Sequence, residues 1–418
     1  MKIVHLLHQY PPEFRGGTEV CVERLVAAQS ARGDEPVVVA GSDIREPEGS
    51  VVSESLEGVP VHRIRRRPDE NYSMDHRQPR VASVVVDLVE ELSPDVVHLH
   101  HTHNLSGDLS SRLVEKGVPV LASLHDFFPL CARFFLVRPD GDSCAHAFPL
   151  PSDRCVECVL PEFEAGREAL EQETTIRATV AAAEARAWFR AVVPSAFVQQ
   201  RWEASGLVPS DRLVLLPHPV PIPEERPMPR DRSDGRLVGI TWGNLAPEKG
   251  IMDLLLAMGE MADSRFALVV LGEAVSEAYG RELHEVAAGL DVTFVEPFSF
   301  EDLARWRSQT DLAIFPSRAE ETFGLVVAEA RSLGFPVLVS DRGALSERVG
   351  NAGATIPAEN PAALAERLRE LLEEGELLDA WSEAAQEDMM TPQEHAERMA
   401  VFYGDAMAFT RSTASDDS

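Results

Sequence analysis

The chain carries little positive charge and almost no lysine. Its 418 residues include 39 Lys and Arg against 69 Asp and Glu, a formal net charge of −30. The only lysines are Lys2, Lys116 and Lys249, and the other basic residues are arginines. So acidic a chain is not expected to bind nucleic acid or anionic lipid through its overall field. Acid-rich, lysine-poor surfaces suit a high-salt (halophilic) cytoplasm, but a GC-rich gene would also favour arginine, so both explanations stay open.

The chain also lacks a long hydrophobic run. No segment approaches the ~18 apolar residues that a membrane span needs. The first residues, Met1–Leu7, have no small-residue cleavage site, so we expect a strand rather than a signal peptide, and a cytoplasmic location by default. No basic amphipathic helix stands out. The small basic patch from Arg63 to Arg67 is interpreted as a solvated strand end, with peripheral membrane contact as the alternative.

Cysteine is scarce, and most of it is clustered. Of the five cysteines, Cys21 falls within a predicted helix and is expected in the core. The others stand in an irregular, charged stretch at about 130–160: Cys131, Cys144, Cys155 and Cys158. In a reducing cytoplasm such a cluster, with one Cys-x-x-Cys, favours a tetrahedral structural zinc over disulfides, with His146 as a substitute ligand. An iron–sulfur site and unligated thiols stay open as alternatives.

Short apolar runs alternate with helical patterns along most of the chain. The predicted strands of the first half are Ile3–Leu7, Pro36–Ala40, Val59–Ile64, Val96–Leu99, Val118–Ser123, Ala191–Val193 and Leu213–Leu216. The predicted helices of that half are Thr18–Ala31, Arg77–Leu92, Leu105–Glu115, Glu162–Ala187 and Ala196–Ala204. The predicted strands of the second half are Leu237–Trp242, Ala267–Leu271, Val292–Val295, Leu312–Phe315, Pro336–Val339 and Ala354–Ile356. This alternation predicts doubly wound parallel sheets with helices on both faces, and Val51–Ile64 is predicted to form an edge hairpin.

The composition changes between residues 217 and 234, where six prolines and many charges replace the apolar periodicity. We interpret this segment as an interdomain linker. The predicted domains are therefore residues 1–216 and 235–390. A last helix is predicted at 391–410, followed by a disordered tail at 411–418.

The most informative motif is the stretch from Ser317 to Ala330, which follows a predicted buried strand and opens a helix. Glu321 and Glu329 flank the helix start at Phe323-Gly324-Leu325. Free backbone N–H groups at such a start attract phosphate, and the two carboxylates could accept hydrogen bonds from sugar hydroxyls. This layout suits a nucleotide-sugar. The alternative is an ordinary strand–helix unit with two solvated glutamates.

The Glu-x7-Glu spacing, with Phe-Gly-Leu between the acids and Gly334-x-Pro336-Val337 after them, resembles the signature of glycosyltransferase family 4. The resemblance implies a GT-B fold, in which two Rossmann-like domains face a central cleft and a C-terminal helix crosses back to the first domain. It also implies a retaining enzyme. Retention in this family looks like front-face transfer, in which the leaving phosphate takes the acceptor proton.

The segment Ile240–Gly250 resembles the family's Gly-Arg-Leu-x-Pro-Glu-Lys-Gly pattern. Gly243 would let the backbone approach a diphosphate, and Lys249 would neutralise it. Asn244 replaces the family's arginine, which puts one cationic contact in doubt. Ala344 replaces a family glycine, and Glu296-Pro297 stands where members often have glycine, so the donor base is poorly constrained.

The first domain supplies the expected acceptor side. Gly16, Gly17 and Glu19 form a strand-to-helix loop that faces the cleft in the family, although a plain turn is the alternative. His125 and Asp126 follow a predicted strand, and the family has a donor-sugar contact at this histidine. The resemblance also points to a subset of the family in which a cysteine-bearing insertion follows His-Asp-Phe.

Four histidines crowd another strand end: His98, His100, His101 and His103. Alternation puts His98 and His100 on one face, which could suggest a metal. The resembled family needs no metal for its chemistry, so no catalytic cofactor is expected.

The expected function is sugar transfer from a UDP-, GDP- or ADP-linked donor to a hydroxyl on a glycan, glycolipid or small molecule. His125, Glu321 and Lys249 are the expected catalytic residues. The expected donor-binding residues are Gly243, Asn244, Lys249, Phe323, Gly324, Leu325 and Glu329. A nucleotide-sugar epimerase and a non-catalytic nucleotide-sugar binder stay open as alternatives.

Overall fold

A computed structural model describes residues 1–43, 47–65, 76–139, 144, 153–161, 166–295 and 299–416, with 411–416 described through their backbone alone. The chain forms two compact units. The first comprises Met1–Pro219 together with Pro392–Ser418, and the second is Val220–Thr391.

The first unit is built on an eight-stranded sheet with strand order β3-β4-β2-β1-β5-β6-β7-β8. Its strands are β1 (Lys2–Leu7), β2 (Glu35–Ser42), β3 (Val51–Leu56), β4 (Val59–Arg65), β5 (Val96–Leu99), β6 (Val120–Ser123), β7 (Ala191–Val193) and β8 (Leu213–Leu215). All neighbouring strands are parallel except β3 and β4, which form the predicted antiparallel edge hairpin. The central strands are rich in buried valine and leucine, as expected of a sheet covered on both faces.

The helices of this unit are α1 (Gly17–Ala31), α2 (Pro79–Leu92), α3 (Leu109–Glu115), α4 (Asp153–Val159), α5 (Arg167–Ala187), α6 (Ala196–Ser205) and, from the end of the chain, α14 (Pro392–Asp416). Helix α14 belongs to the first unit because its apolar face is buried there. Met399 and Tyr403 are fully buried, and the Gln29 side-chain amide of α1 donates to the Tyr403 hydroxyl at 3.1 Å.

The second unit is built on a six-stranded parallel sheet with order β11-β10-β9-β12-β13-β14. Its strands are β9 (Leu237–Trp242), β10 (Phe266–Leu271), β11 (Val292–Val295), β12 (Leu312–Phe315), β13 (Val337–Ser340) and β14 (Gly353–Ile356). Its helices are α7 (Ile251–Met261), α8 (Glu277–Val286), α9 (Phe300–Trp306), α10 (Leu325–Ser332), α11 (Leu345–Val349), α12 (Pro361–Glu373) and α13 (Gly375–Ala384). The two predicted parallel-sheet α/β domains are therefore confirmed.

Residues 217–234, all described, contain neither helix nor strand, but their second half is firmly attached to the second unit. The Arg230 guanidinium donates to the Asp311 carboxylate at 3.1 Å and to the Arg236 carbonyl oxygen at 2.9 Å. Asp311 in turn accepts from the Val238 backbone N–H at 2.8 Å. Arginine hydrogen bonds therefore give this proline-rich segment a fixed path without any periodic apolar face.

The interpretation of Arg63 to Arg67 as a solvated patch is wrong for the arginines that the structure describes. Arg63 and Arg65 are 3% and 4% exposed. Arg63 donates to the carbonyl oxygens of Tyr10 and Pro11 at 2.8 and 2.6 Å, and Arg65 donates to the Glu13 carboxylate at 3.1 Å. Strand alternation points both side chains to the face covered by the loop after β1, so they hold that loop in place. Residues 66–67 lie outside the described residues.

Helix α14 runs past its predicted end at residue 410 and continues to Asp416, through most of the segment predicted to be a disordered tail. A helix already held by packing extends at little cost, because each further residue gains one backbone hydrogen bond. Residues 417–418 lie outside the described residues.

One glycine is required where β9 leads into α7. Gly250 has φ of +72°, and a Cβ built there would lie 1.9 Å from the Pro316 carbonyl oxygen. This contact brings the turn after β9 directly against the chain that leaves β12. Only glycine permits both the left-handed backbone and the close approach.

We expect Gly250→Ala to lower the free energy of unfolding of the second unit by about 2 kcal/mol or more, because the new methyl group forces the two turns apart. Gly259→Ala, in the helix α7 that follows, is the matched control, since a Cβ there meets nothing within 4 Å. It should leave the stability unchanged or raise it by up to ~1 kcal/mol. Urea titration of both variants measures the difference, and equal midpoints for Gly250→Ala and the parent would contradict it.

Candidate active site

In the second unit, two strand-to-helix turns meet at the carboxyl edge of the sheet. Strands β9 and β12 are neighbours, so the turns that follow them lie side by side. The Glu248 carbonyl oxygen accepts from the backbone N–H groups of Arg318 and Ala319 at 2.8 and 3.2 Å, and from the Ser317 hydroxyl at 3.2 Å. These bonds fix the Lys249 turn against the turn that carries Glu321.

Lys249 and Glu321 form an ion pair between these turns. The Lys249 ammonium donates to Glu321 Oε1 at 2.6 Å, and the Ser317 hydroxyl oxygen lies 3.1 Å from the same oxygen, so its one proton can go either there or to the Glu248 carbonyl. The charge of Glu321 is the largest influence on Lys249 and, with this hydrogen bond, raises the lysine's pKa against the opposing effect of burial. The lysine side chain is still 41% exposed and that of the glutamate 21%, so an anionic ligand can reach both.

Helix α10 begins at the end of the same turn without a side-chain cap. Gly324 is its N-cap residue, with φ of +78°, and Leu325 is the first helical residue. A Cβ at Gly324 would lie 2.7 Å from Leu345 Cδ2, so α11 closes in on this position. An uncapped start presents backbone N–H groups with the positive end of the helix dipole, which together favour an anion.

The other residues predicted to bind the donor differ in exposure. Phe323 is only 4% exposed, and the Arg348 guanidinium lies over its ring, 5.0 Å from the centroid. The side chain therefore anchors the turn to the core. Glu329 lies farther along α10, and its Oε2 accepts from the Trp242 indole N–H at 3.4 Å. Asn244 is exposed, directly after Gly243 at the end of β9.

The loop after β13 covers the backbone of Glu321. The Ala344 backbone N–H donates to the Glu321 carbonyl oxygen at 2.8 Å, and Gly343 pairs with Glu321 in an isolated parallel bridge. Ala344 is fully buried and has ordinary right-handed helical backbone angles, so this position accepts alanine without strain. Glu296 and Pro297 lie outside the described residues.

In the first unit, the strand register gathers histidines. His5 of β1 pairs with His98 of β5, and His100 and His125 follow the ends of β5 and β6. His98 and His100 lie on one face, as predicted, with ring centroids 3.9 Å apart. The potential ligand nitrogens of His5, His98 and His100 lie within 4.8 Å of one another. Each ring nitrogen of these three also has a hydrogen-bonding partner.

His125 lies in this group, with its two ring nitrogens facing His100 and His218 at 3.0 and 3.2 Å. Burial lowers the pKa of His125 to about 4, although the Asp126 carboxylate acts in the opposite direction. The imidazole is therefore neutral near pH 7. The Asp126 carboxylate lies 3.1 Å from His101 Nε2 and also accepts from the Phe128 backbone N–H at 2.8 Å.

The first turn of α1 contains a buried carboxylate. Glu19 is 1% exposed, accepts from the Gly16 backbone N–H at 3.0 Å, and lies 2.9 Å from His8 Nε2. Burial alone would raise the pKa of Glu19, but the hydrogen bond and charge of His8, with backbone N–H groups, bring the pKa below its usual value. Gly17 is exposed and begins α1. The predicted loop glutamate thus fixes the loop to a histidine at the end of β1.

The clustered cysteines line one cavity, together with Arg133 and Arg177. Their thiols are unbridged: Cys131, Cys144, Cys155 and Cys158. Burial raises the pKa of Cys158 to about 11; Arg133 opposes this rise, and the three neighbouring cysteines add to it. Arg177 is 4% exposed and lies over the Phe128 ring. The same cavity brings two arginines beside these thiols, and a nearby cation favours the thiolate form that a metal ligand needs. His146 lies outside the described residues.

Comparison with protein-family models covers nearly the whole chain. Residues 15–223, half of the chain, match the model described as Glycosyltransferase Family 4, and residues 225–388 match Glycosyl transferases group 1.

The chain belongs to glycosyltransferase family 4.

A curated relative agrees with this family assignment. The D-inositol 3-phosphate glycosyltransferase of Nocardioides sp. is 26% identical over 370 residues, which cover 80% of this chain and 73% of that protein. Matches to other proteins of that name span about a third or less of their length.

Sucrose-phosphate synthase from Thermosynechococcus elongatus aligns with TM-score 0.70 and 19% identity, covering 98% of this chain and 100% of that one. Anabaena HepE in complex with UDP and glucose aligns with TM-score 0.67 and 17% identity, covering 97% and 99%. The GT-B fold predicted from the sequence is confirmed, and this family 4 chain is a glycosyl-transferring enzyme.

The structure of this family 4 enzyme brings Lys249, Glu321 and the α10 start together in one unit, and His125, Asp126 and Glu19 together in the other. Sequence reasoning missed four partners in the histidine group: His5, Gln29, His218 and Tyr403. One signal was available. Gln29 falls on the apolar stripe of α1, in step with Val22 and Leu25, where a polar side chain must find a buried partner.

No helix in the parts of the chain that the structure describes is long and apolar enough to cross a membrane.

Buried histidines predict an acid-sensitive first unit. Burial lowers the pKa of His5 and His125 to about 4 and that of His395 to about 3, below the ordinary value of 6.5. Their full contribution to stability is present above pH 6.5 and is lost as the pH falls toward 4, because only the unfolded chain takes up protons in this window. Each such histidine should add about 1.4 kcal/mol per pH unit to the fall in the free energy of unfolding.

We expect His395→Gln to lessen the fall in unfolding free energy between pH 6.5 and 4.5, measured by urea titration at several pH values. His284→Gln, at an exposed histidine of α8, is the control for the same substitution at the surface. An identical pH dependence for His395→Gln and the parent would show that His395 is not held neutral.

Proposed function

We propose that this family 4 enzyme is a retaining glycosyltransferase that moves a sugar from a nucleoside-diphosphate sugar to a hydroxyl acceptor. The observation that carries the proposal is the Lys249–Glu321 ion pair, 2.6 Å long, beside the uncapped start of α10. A cation, an acceptor carboxylate and the amides of a helix start without a side-chain cap match the needs of a diphosphate and an attached sugar.

Donor binding would exchange partners within this pair. The diphosphate takes the Lys249 ammonium and the first amides of α10, since both favour phosphate oxygens. Glu321 then loses its cationic partner and accepts hydrogen bonds from sugar hydroxyls. Glu329, farther along the helix, serves the ribose in the same way. Asn244 supplies hydrogen bonds but no charge.

The transfer step needs no protein nucleophile in this proposal. The bond between the anomeric carbon and the phosphate oxygen breaks, and the acceptor oxygen bonds to the same face of the sugar. The acceptor proton goes to the departing phosphate oxygen. Lys249 and the α10 amides stabilise the charge that develops on the leaving group. His125, held neutral, contributes a hydrogen bond to the sugar instead of a charge.

The similar HepE structure is a complex with UDP and glucose, which supports a uridine nucleotide as the first donor to test. The Nocardioides relative's name supports an inositol phosphate among the acceptors to test. Glycan, glycolipid and small-molecule hydroxyls complete the acceptor panel.

We expect Glu321→Gln to lower kcat for transfer at least about 100-fold, as for loss of one preorganised polar contact to a transition state. Binding of UDP should be retained or strengthened, because Lys249 no longer has a competing carboxylate. Lys249→Met should instead weaken UDP binding about tenfold or more. Calorimetry with UDP and product analysis with UDP-glucose measure both effects, and Glu320→Gln, next to Glu321 in sequence, is the control.

The same assays separate the alternatives. An epimer formed from donor alone, without acceptor, would identify an epimerase. Tight UDP binding with neither transfer nor donor hydrolysis in the parent protein would identify a binding protein. A parent protein that binds no UDP, GDP or ADP compound would contradict the proposed donor site.

We also propose that the four clustered cysteines hold one structural zinc, which would place this chain in the family subset with a cysteine-bearing insertion. The supporting observation is that all four line one cavity with Arg133 and Arg177, which can balance thiolate charge. A four-thiolate site has no open position, so the ion would tie α4 to the loop after His125 without entering the chemistry.

We expect about one equivalent of zinc in purified protein, and less than half an equivalent in Cys158→Ser, measured by elemental analysis. Cys21→Ala is the matched control, because Cys21 is buried in α1 away from the cluster and its variant should keep the metal. Visible absorption with iron in place of zinc would indicate an iron–sulfur site, and a metal-free parent protein would leave unligated thiols.

A further inference from the structure

A continuous chain of buried hydrogen bonds runs from His125 to α1 and α14. His125 Nε2 lies 3.0 Å from His100 Nδ1, and His100 Nε2 lies 3.0 Å from His5 Nδ1. His5 Nε2 then lies 2.8 Å from the Gln29 carbonyl oxygen. On the other side, the Gln29 amide donates to the Tyr403 hydroxyl at 3.1 Å.

These rings are neutral, which limits how each can bond. A neutral imidazole has one N–H donor and one lone-pair acceptor. His5 is completely buried and His100 and His125 are 5% and 7% exposed, so burial disfavours a second proton on any of them. In such a chain the direction of one hydrogen bond determines the direction of all the others.

Gln29 sets that direction. The side-chain carbonyl oxygen of Gln29, Oε1, can only accept a hydrogen bond. His5 must therefore carry its proton on Nε2 and accept at Nδ1. His100 must then donate from Nε2, and so must His125. The one nitrogen of His125 left as an acceptor is Nδ1, which faces His218 at 3.2 Å.

The orientation of the Gln29 amide also sets the direction of the bonds on its other side, through Tyr403. The Tyr403 hydroxyl accepts from the Gln29 amide and can therefore donate to His98 Nδ1, 2.8 Å away. His98 Nε2 in turn lies 2.8 Å from the Ser123 hydroxyl. If Gln29 turned over, its NH2 group would face His5 and its carbonyl would face Tyr403. Every bond on both sides would then have to reverse.

We propose that Gln29 is a positioning residue that fixes the tautomer of His125 through His5 and His100. His125 is thereby held as a hydrogen-bond acceptor at Nδ1, suited to a sugar hydroxyl that takes the place of His218. The role of that acceptor in transfer rests on the proposed function, whereas the tautomer itself does not.

A metal ion among His5, His98 and His100 is the competing explanation for this cluster. Their nitrogens lie close enough, but a bound ion would take lone pairs that the chain uses and would break its links. The hydrogen-bond chain accounts for both ring nitrogens of all three residues.

The test is nuclear magnetic resonance of full-length protein labelled with ¹⁵N-histidine, in which long-range ¹H–¹⁵N spectra distinguish Nδ1-H from Nε2-H tautomers. The His125 signals are assigned from their loss in His125→Gln. We expect His125 in the parent protein to be protonated on Nε2. In Gln29→Met, which has a similar volume but no polar group, we expect a mixture of the two tautomers.

Val26→Ala is the matched control. It removes buried methyl groups from the same helix but touches no link in the chain, so it should destabilise the unit and leave the His125 tautomer unchanged. Two results would overturn the proposal: His125 protonated on Nδ1 in the parent protein, or no tautomer change in Gln29→Met. Displacement of the His5, His98 and His100 signals by one equivalent of Zn²⁺ would favour the metal explanation and also overturn it.

Kinetics add a second readout that a purely structural role would not produce. Gln29→Met should lower kcat for transfer about tenfold, the effect of one neutral hydrogen bond, while the affinity for UDP stays at the parent value. Val26→Ala should keep the parent values of kcat and of the affinity for UDP. If no donor supports transfer but the tautomer responds to Gln29, the positioning role stands and the proposed function fails. If transfer occurs and the His125 tautomer does not respond to Gln29→Met, the proposed function stands and the positioning role fails.

Discussion

Parallel pairing of neighbouring strands is the constraint on which both candidate sites depend. Because β9 and β12 run side by side in the same direction, the turns at their carboxyl ends meet. Lys249 and Glu321 contact each other there, although 72 positions separate them in the chain. In the first unit, the register of β1, β5 and β6 gathers His5, His100 and His125 in the same way.

The two units place their polar groups in different electrostatic settings. The Lys249–Glu321 pair is partly exposed, so solvent screens it and a charged ligand can separate it. His5, His100 and His125 of the first unit are buried, where a net charge would be costly, and burial lowers the pKa of each. Each buried ring nitrogen must then find a partner, which explains why the hydrogen bonds form a chain rather than isolated pairs.

Much of the fold could be predicted from the sequence, because apolar periodicity reports the burial of each element directly. All the predicted strands are present, and so is the edge hairpin. The prediction was wrong for Arg63 and Arg65, since charge in a sequence does not reveal that nearby carbonyl and carboxylate groups can enclose a guanidinium. It also ended α14 too early, because propensity alone does not include the stabilisation that packing gives a helix.

The sequence by itself determined the fold class, the family signature and the residue types at the α10 turn, because these depend on local spacing and on side-chain chemistry. Only the tertiary structure decided which of those residues are partners. Gln29, Tyr403 and the histidines come from helices and strands far apart in the chain. The direction of their hydrogen bonds is a property of the assembled network, so no segment of the sequence contains it alone.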